Sequence, residues 1–214
     1  KQNILNGFNF AKKVIDTGKV PLIVDPDGAS ITALKPDVVV DAILAKKNFG
    51  TNRSMAPLTV GLGPGFTAGV DVDIVIETMR GHNLGRIIRE GSAIPNTGIP
   101  GNIGGYTAER VIHAGAEGIL YNVHKIGDIV EQGEEIAYIA DEKENRRYSV
   151  TATIPGIIRG LIRDGYPATK GFKIADIDPR KSELSNCFTI SDKARCIAGS
   201  VLEVVCAFGS NILS

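Results

Sequence analysis

The chain has 214 residues, of which 43% are hydrophobic and 22% charged, a composition typical of a soluble globular protein with one large or two small domains. Lysine plus arginine and aspartate plus glutamate both number 24, so no basic excess points to nucleic acid or an anionic membrane as a partner. The longest apolar runs are too short to span a membrane. Three cysteines without a CxxC pair fit a reducing cytoplasm better than a disulfide framework.

The first half of the chain alternates helix-like and strand-like segments. A helical period predicts a helix over Asn3–Asp16, and a second, short helix is predicted over Ser30–Leu34 before Pro36. Short apolar runs rich in β-branched residues predict strands at Val20–Val24, Asp37–Leu44 and Leu58–Leu62. This alternation predicts an α/β domain with a mostly parallel, partial Rossmann-like sheet over residues 1–110.

Residues 56–86 contain the strongest candidate for a ligand site. The predicted strand Leu58–Leu62 leads into a turn with glycine at positions 61, 63, 65 and 69, and a second alternating run, Val70–Thr78, ends in the polar cluster Arg80-Gly81-His82-Asn83. Glycine lets a ligand approach backbone N–H groups, so this order can build an anion site. The turn lacks the Gly-Lys-Ser/Thr of a P-loop and the third glycine of a dinucleotide fingerprint. A plain tight turn is therefore an equal alternative.

The residues that we predict to bind an anionic cofactor lie in this segment and in the loop after the second predicted strand, because ligands of open α/β sheets bind where strands end. They are Lys46, Lys47, Gly61, Gly63, Gly65, Thr67, Arg80, His82, Asn83 and Arg86. Asp71, Asp73 and Glu77 would share one face of a regular strand. Three carboxylates in that arrangement more commonly face solvent than bind a cation, and no metal site is predicted.

The second half of the chain contains an internal repeat. Gly118–Ile139 and Gly156–Ile177 align without a gap, with glycines matched at 118/156, 127/165 and 133/171 and apolar residues between them. We call this alignment the repeat register. The match indicates two copies of a strand–turn–strand unit, each too small to bury a core alone. The repeat resembles the biotinyl/lipoyl domain, which implies a β-rich barrel-sandwich module over residues 111–180.

In the biotinyl/lipoyl family, a lysine in the hairpin between the two halves bears the prosthetic group. Lys143 is near that place, but acidic residues flank it and the hairpin is longer than the family pattern. A module without its swinging arm, used for structure or docking, is the preferred interpretation. Residues 181–214 are predicted to contain a C-terminal helix, Thr189–Phe208, capped by Ser191 or Thr189 and ended by Gly209. Its apolar stripe is predicted to dock on the α/β part.

Five segments that span most of the chain together resemble the accessory-protein family of the selenium-dependent molybdenum hydroxylase system; they are residues 36–51, 56–86, 91–111, 160–180 and 189–203. The resemblance implies a cytoplasmic bacterial protein that helps to mature a molybdopterin enzyme. It implies a molybdenum hydroxylase as protein partner and a small anionic ligand, such as molybdopterin or a nucleotide. Family members begin with a glycine-rich strand–turn–helix, and we expect this chain, which begins with Lys1 rather than methionine, to lack it.

Three functions remain open from the sequence. The first is a maturation factor with a pocket formed by loops at Lys46–Arg53, Gly61–Gly69, Arg80–Arg86 and Gly98–Gly105. The second is an enzyme that acts on a small phosphorylated substrate with His82 as acid or base. The sequence offers no nucleophile or metal constellation for that reaction, so a protein that is not an enzyme is favoured. The third is a carrier domain modified at Lys143.

Overall fold

The computed structural model describes residues 2–98, 101–141 and 144–210. It contains two compact units, the first formed by Lys1–Asn96 with Ser191–Ser214 and the second by Thr97–Ile190. The α-helices of the described residues all belong to the first unit and are α1 (Gln2–Asp16), α2 (Ala29–Leu34) and α3 (Asp192–Gly209). Within the same residues, no helix is both long enough and apolar enough to cross a bilayer.

The first unit is built on a four-stranded sheet in which three strands are parallel. Its strands and those of a small antiparallel pair are β1 (Val38–Asp41), β2 (Leu58–Leu62), β3 (Thr67–Ala68), β4 (Ile74–Ile76), β5 (Ile87–Ile88) and β6 (Gly91–Ser92). The main sheet has the order β1-β2-β4-β5, with β5 antiparallel to β4, and β3 pairs with β6. The predicted α/β class with a parallel sheet is confirmed.

Helix α3 packs on one face of the main sheet. Alternate residues of β2 and β4 form a buried cluster with Ile197 and Val204 of α3, namely Leu58, Val60, Leu62, Ile74 and Ile76. Of the two predicted caps, Ser191 is the one used: its hydroxyl accepts the N–H of Ala194 at 3.1 Å, and the helix begins at Asp192 rather than at Thr189. It ends at Gly209, also as predicted.

The prediction of a strand at Val20–Val24 is wrong. This stretch forms no strand, and the side chains of Val20, Leu22 and Val24 are 94%, 99% and 96% exposed. A β-branched run forms a strand only when a neighbouring strand pairs with it and covers one face. Among the described residues, no strand does so here.

The alternating run Val70–Thr78 contains a strand only at Ile74–Ile76, so it does not form one regular strand over its whole length. Asp71 accepts the N–H of Thr67 at 2.8 Å, and Asp73 accepts the N–H and hydroxyl of Thr59 at 2.9 and 2.8 Å. Glu77 is buried. Hydrogen bonds from side chains to nearby backbone compete with regular pairing, so the three carboxylates do not line one strand face.

The second unit consists of two four-stranded sheets around one core. Its strands are β7 (Val111–His113), β8 (Gly118–Asn122), β9 (Ile129–Val130), β10 (Glu135–Asp141), β11 (Arg146–Thr151), β12 (Gly156–Leu161), β13 (Tyr166–Ala168) and β14 (Lys173–Asp178). The sheets have the orders β11-β10-β8-β13 and β7-β14-β12-β9. Buried residues from both copies of the repeat form a single apolar cluster.

The internal repeat predicted from the sequence is present in the backbone. The N–H of Gly127 donates to Ile158 O and the N–H of Gly165 donates to Leu120 O, both at 2.8 Å. Both the donors and the acceptors of these two bonds correspond in the repeat register. Strand β9 of the first copy pairs with β12, and β13 of the second copy pairs with β8. The copies therefore exchange strands, which explains why they share one core. Lys143 lies outside the described residues.

Candidate functional site

Three loops of the first unit meet at the carboxyl ends of its parallel strands. They follow β1, β2 and β4 and comprise residues 42–52, 63–66 and 77–86. A Cβ added at Gly65 (φ 111°) would lie 2.6 Å from the Cα of Lys47, and one added at Gly63 (φ 83°) would lie 2.5 Å from the Thr78 hydroxyl. The two glycines thus permit direct contact between the loops, at the edge of a parallel sheet where ligands bind.

Two buried carboxylates fix the first and third of these loops. Glu77, 2% exposed, accepts the N–H groups of Met79 and Ile94, each at 2.7 Å. Asp41, the last residue of β1, accepts the N–H of Ile43 at 3.0 Å and the Thr51 hydroxyl at 2.6 Å. Both acids therefore hold backbone in place. Sequence reasoning missed Asp41, although its position at the end of an apolar run is a signal for such a role.

Two cations beside these loops, Lys46 and Arg80, act electrostatically on a third, Lys193. Arg80 donates to both carboxylate oxygens of Asp192, each at 2.8 Å. The pKa of Lys193, on the first turn of α3, is lowered by burial and then by the positive charges of Lys46 and Arg80. Lys46 and Arg80 were predicted from the sequence, whereas Lys193 was not. It is distant in the chain, and only the packing of α3 brings it here.

Gly61, Thr67 and Lys47 take part in contacts within the protein. The ring of Phe66 fills the space beside Gly61, 2.5 Å from where a Cβ would be. The Thr67 hydroxyl and the Ser92 hydroxyl are 3.0 Å apart, and this bond joins β3 to β6. The ammonium of Lys47 lies 4.6 Å from the centre of the Phe49 ring. The fold itself therefore explains why glycine is at position 61 and threonine at position 67.

His82, Asn83 and Arg86 belong to a hydrogen-bonded turn that packs on α3. The N–H of Arg86 donates to Asn83 O at 2.9 Å, while the side chains of His82 and Arg86 are exposed. A Cβ on Gly85 would lie 2.7 Å from the sulfur of Cys196, which shows how closely the turn approaches the helix. On α3, Asp192, Arg195 and Cys196 line an open cleft of about 500 Å³.

The fourth predicted loop, Gly98–Gly105, belongs to the second unit, and residues 99 and 100 lie outside the described part of the chain. Arg53 is paired with Asp73 at 2.7 Å. Across residues 2–98, 101–141 and 144–210, no cluster of three or more His, Cys, Asp or Glu side chains is arranged to hold a metal ion. The geometry of the first unit therefore offers cations and loop backbone at the edge of a parallel sheet, which is a setting for an anion.

No family model matches the chain. The chain is 50% identical over 195 residues to the uncharacterized protein YqeB of Escherichia coli strain K12. The match covers 91% of the chain and 35% of YqeB, so the chain spans about a third of the length of this curated relative.

Solved structures show only partial likeness. A succinylglutamate desuccinylase/aspartoacylase from Rhodobacter sphaeroides is 21% identical with a TM-score of 0.31, over 33% of the chain and 22% of that protein. The ectoine utilization protein EutE (DoeB) from Ruegeria pomeroyi is 13% identical with a TM-score of 0.29, over 44% and 28%. An aspartoacylase family protein from Mesorhizobium loti is 10% identical with a TM-score of 0.33, over 57% and 43%. Likeness at this level assigns neither a fold nor a function.

Proposed function

We propose that this chain is part of an accessory protein that matures a selenium-dependent molybdenum hydroxylase in the bacterial cytoplasm. Its first unit, a partial Rossmann-like domain, binds an anionic cofactor or nucleotide, with molybdopterin as one candidate. Its second unit is a barrel-sandwich module of the biotinyl/lipoyl type that works without a swinging arm. The class of partner enzyme and the candidate ligands come from the sequence resemblance. The cations of the first unit support a negatively charged ligand.

The observation that supports an anionic ligand most directly is the grouping of Lys46, Arg80 and Lys193. Burial lowers the pKa of Lys193 most, the charges of Lys46 and Arg80 lower it further, and the Glu77 carboxylate partly offsets them. Like charges held together in a fold destabilise one another, and an anion between them relieves that repulsion while it gains charge-assisted hydrogen bonds. Asp192 balances part of this charge through Arg80.

Backbone strain beside the cations also fits a binding role. Leu44 and Lys46 both have positive φ values, 58° and 64°. A non-glycine residue in this region costs on the order of 1–3 kcal/mol and persists where its surroundings hold it. The buried Asp41 carboxylate, which accepts the N–H of Ile43, anchors the start of this loop. The contacts of Asp41 with Ile43 and Thr51 hold both ends of this strained loop, so the backbone of Lys46 is fixed beside the glycine turn.

Binding of inorganic pyrophosphate tests the anion site, because this probe has the charge that a pterin phosphate and a nucleotide share. Isothermal titration of the purified chain is expected to show binding that weakens by roughly tenfold, or about 1.4 kcal/mol, in Lys193→Met. The matched control is Lys170→Met, which removes an exposed lysine from the second unit and is expected to leave the affinity unchanged. Equal pyrophosphate affinities of wild type, Lys193→Met and Lys170→Met would contradict the proposed anion site.

Native mass spectrometry of the protein from its own host identifies the ligand. A mass excess that is lost on denaturation, and that matches a pterin or a nucleotide, is expected. An excess that survives denaturation would instead support a covalent group and the carrier function at Lys143.

A further inference from the structure

Each copy of the repeat contains an equivalent segment in its middle, and the side chains of the two segments differ. We define the first tip as residues 123–134 and the second tip as residues 161–172, which correspond in the repeat register. Their backbones match, since Gly127 and Gly165 make equivalent hydrogen bonds to the other copy and Gly133 and Gly171 do the same, all at 2.8 Å. Differences between the tips therefore reflect their side chains.

A cluster of three polar side chains holds the first tip together. The ring of His124 lies between two carboxylates, with Nδ1 at 3.2 Å from Asp128 and Nε2 at 3.0 Å from Glu134. The equivalent residues of the second tip are Ile162, Tyr166 and Phe172. Tyr166 and Phe172 stack with ring centres 5.3 Å apart, and both Ile162 and Tyr166 pack on the core. The second tip thus has apolar and aromatic side chains where the first tip has polar ones, and Phe172 is itself 37% exposed.

The outside of the first tip is apolar instead. Val123 is 52% exposed, whereas its equivalent Leu161 packs on the core. Ile126 is 38% exposed, whereas its equivalent Asp164 accepts the N–H of Asn122 at 2.7 Å. The first tip therefore exposes aliphatic side chains at two positions where the second tip has a core-packed residue or a hydrogen-bonded acid. Exposed apolar area of this kind is unfavourable in a free protein.

Phe188 extends this apolar surface. It lies on the backbone of Gly127, where an added Cβ would be 2.8 Å from its Cζ and 3.6 Å from Leu184 Cδ1. In the described part of the chain, no atom lies within 4 Å of the equivalent Cβ position at Gly165. Phe188 is nevertheless 70% exposed and Leu184 40%. We name Ile126, Leu184 and Phe188 around Gly127 the tip patch.

We call the charged residues of the two segments that carry the tip patch, residues 123–134 and 181–188, its border. Asp128, Glu131, Glu134 and Glu183 lie in the same two segments, against Lys125 and Lys181. Lys181 is paired with Glu131 at 2.7 Å, and His124 is held by Asp128 and Glu134. An exposed aromatic residue with a polar, charged border is the usual anatomy of a protein-binding hot spot.

We propose that the tip patch is a docking surface for a protein partner that presents an apolar side chain surrounded by basic residues. The apolar contact supplies affinity, because Phe188 and Ile126 lose their exposure to water, and the acidic border selects the sign of charge on the partner. The identity of the partner rests on the proposed function, in which it is the molybdenum hydroxylase.

The test measures binding of the purified, cofactor-free molybdenum hydroxylase from the same host to the full chain by biolayer interferometry. Phe188→Ser and Ile126→Asn, the latter a neutral analogue of the residue at the equivalent position of the second tip, are each expected to weaken binding by roughly tenfold. A matched pair compares equivalent positions: Ile129→Ser on the first tip is expected to weaken binding, and Pro167→Ser on the second tip is not. Wild-type affinity is expected to fall as salt is raised.

The outcomes separate the two proposals. If the hydroxylase binds wild type and all four variants equally, the docking surface is wrong and the proposed function stands. If it binds none of them, including wild type, the partner in the proposed function is wrong, and the docking proposal falls with it. Circular dichroism melts of each variant must match wild type, because both tips lie on one folded core.

Discussion

Asp178 is the most strongly held acid in the second unit. Its carboxylate, 1% exposed, accepts bonds from Arg159 at 2.8 Å and from the Arg180 guanidinium at 3.0 and 2.8 Å. These bonds, that of Arg180 first, hold the pKa of Asp178 far below its ordinary value of 3.8. A buried carboxylate with two guanidinium partners stabilises the fold only while it is ionised, since the protonated form leaves both cations without their counter-charge.

Asp178→Asn is expected to lower the free energy of unfolding by about 3 kcal/mol at pH 7, because it removes one partner from a buried ionic cluster. Because the pKa of Asp178 is lower in the folded than in the unfolded chain, its ion pairs stabilise the fold above pH 3.8. This stabilisation is lost as the pH falls toward the folded-state pKa. Urea unfolding followed by circular dichroism at pH 7 and pH 3 measures both effects. Glu117→Gln, at an exposed site in the same unit, should change neither value; an equal loss there would argue against the cluster.

At the scale of elements, local signals in the sequence predicted α2, β1, β2 and α3. Each has a short-range cause, such as the Ser191 cap of α3 or the αL residue Lys35 that ends α2 before Pro36. The run Val20–Val24 has strand propensity without a pairing strand, so propensity alone predicted the wrong element. Lys193 in the candidate site depends on how α3 packs, which no local pattern reveals.

The repeat was predictable because its glycines have a steric function. A Cβ at Gly118 would lie 2.3 Å from the carbonyl oxygen of Ala140, and a Cβ at Gly156 would lie 2.3 Å from that of Asp178. The two contacts are equivalent in the repeat register. Each places the first residue of a strand against the backbone of the neighbouring strand, so a side chain there forces the strands apart.

Gly118→Ala and Gly156→Ala are therefore expected to destabilise the second unit by similar amounts, about 1–3 kcal/mol each, as overpacking does elsewhere. Thermal unfolding measured by calorimetry compares the two directly. Gly115→Ala is the control, since no atom lies within 4 Å of the Cβ that it adds. Loss of stability in only one of the two glycine variants would mean that the copies do not share this strand contact.

At the scale of the whole molecule, the two units differ in how their cores are assembled along the chain. The core of the second unit comes from one continuous segment, Thr97–Ile190, which contains every residue of its buried cluster. The core of the first unit is discontinuous, because Ile197 and Val204 of α3 complete the cluster formed by β2 and β4. A continuous core can form without the rest of the chain, whereas the first unit needs residues that follow the second.

The fragment of residues 97–190 is expected to fold by itself, with a single cooperative urea transition and the dispersed amide spectrum of a packed β protein. A chain that ends at residue 190 is expected to keep that transition and to lose the one that belongs to the first unit, since Leu58, Val60 and Ile76 would be left without α3. Adding α3 back as a separate peptide should restore part of the lost transition, because its apolar stripe can still pack on the exposed face of the sheet. If the fragment 97–190 showed no cooperative unfolding, the second unit would depend on the first for its stability, and the strand exchange between the two copies would not suffice to close its core.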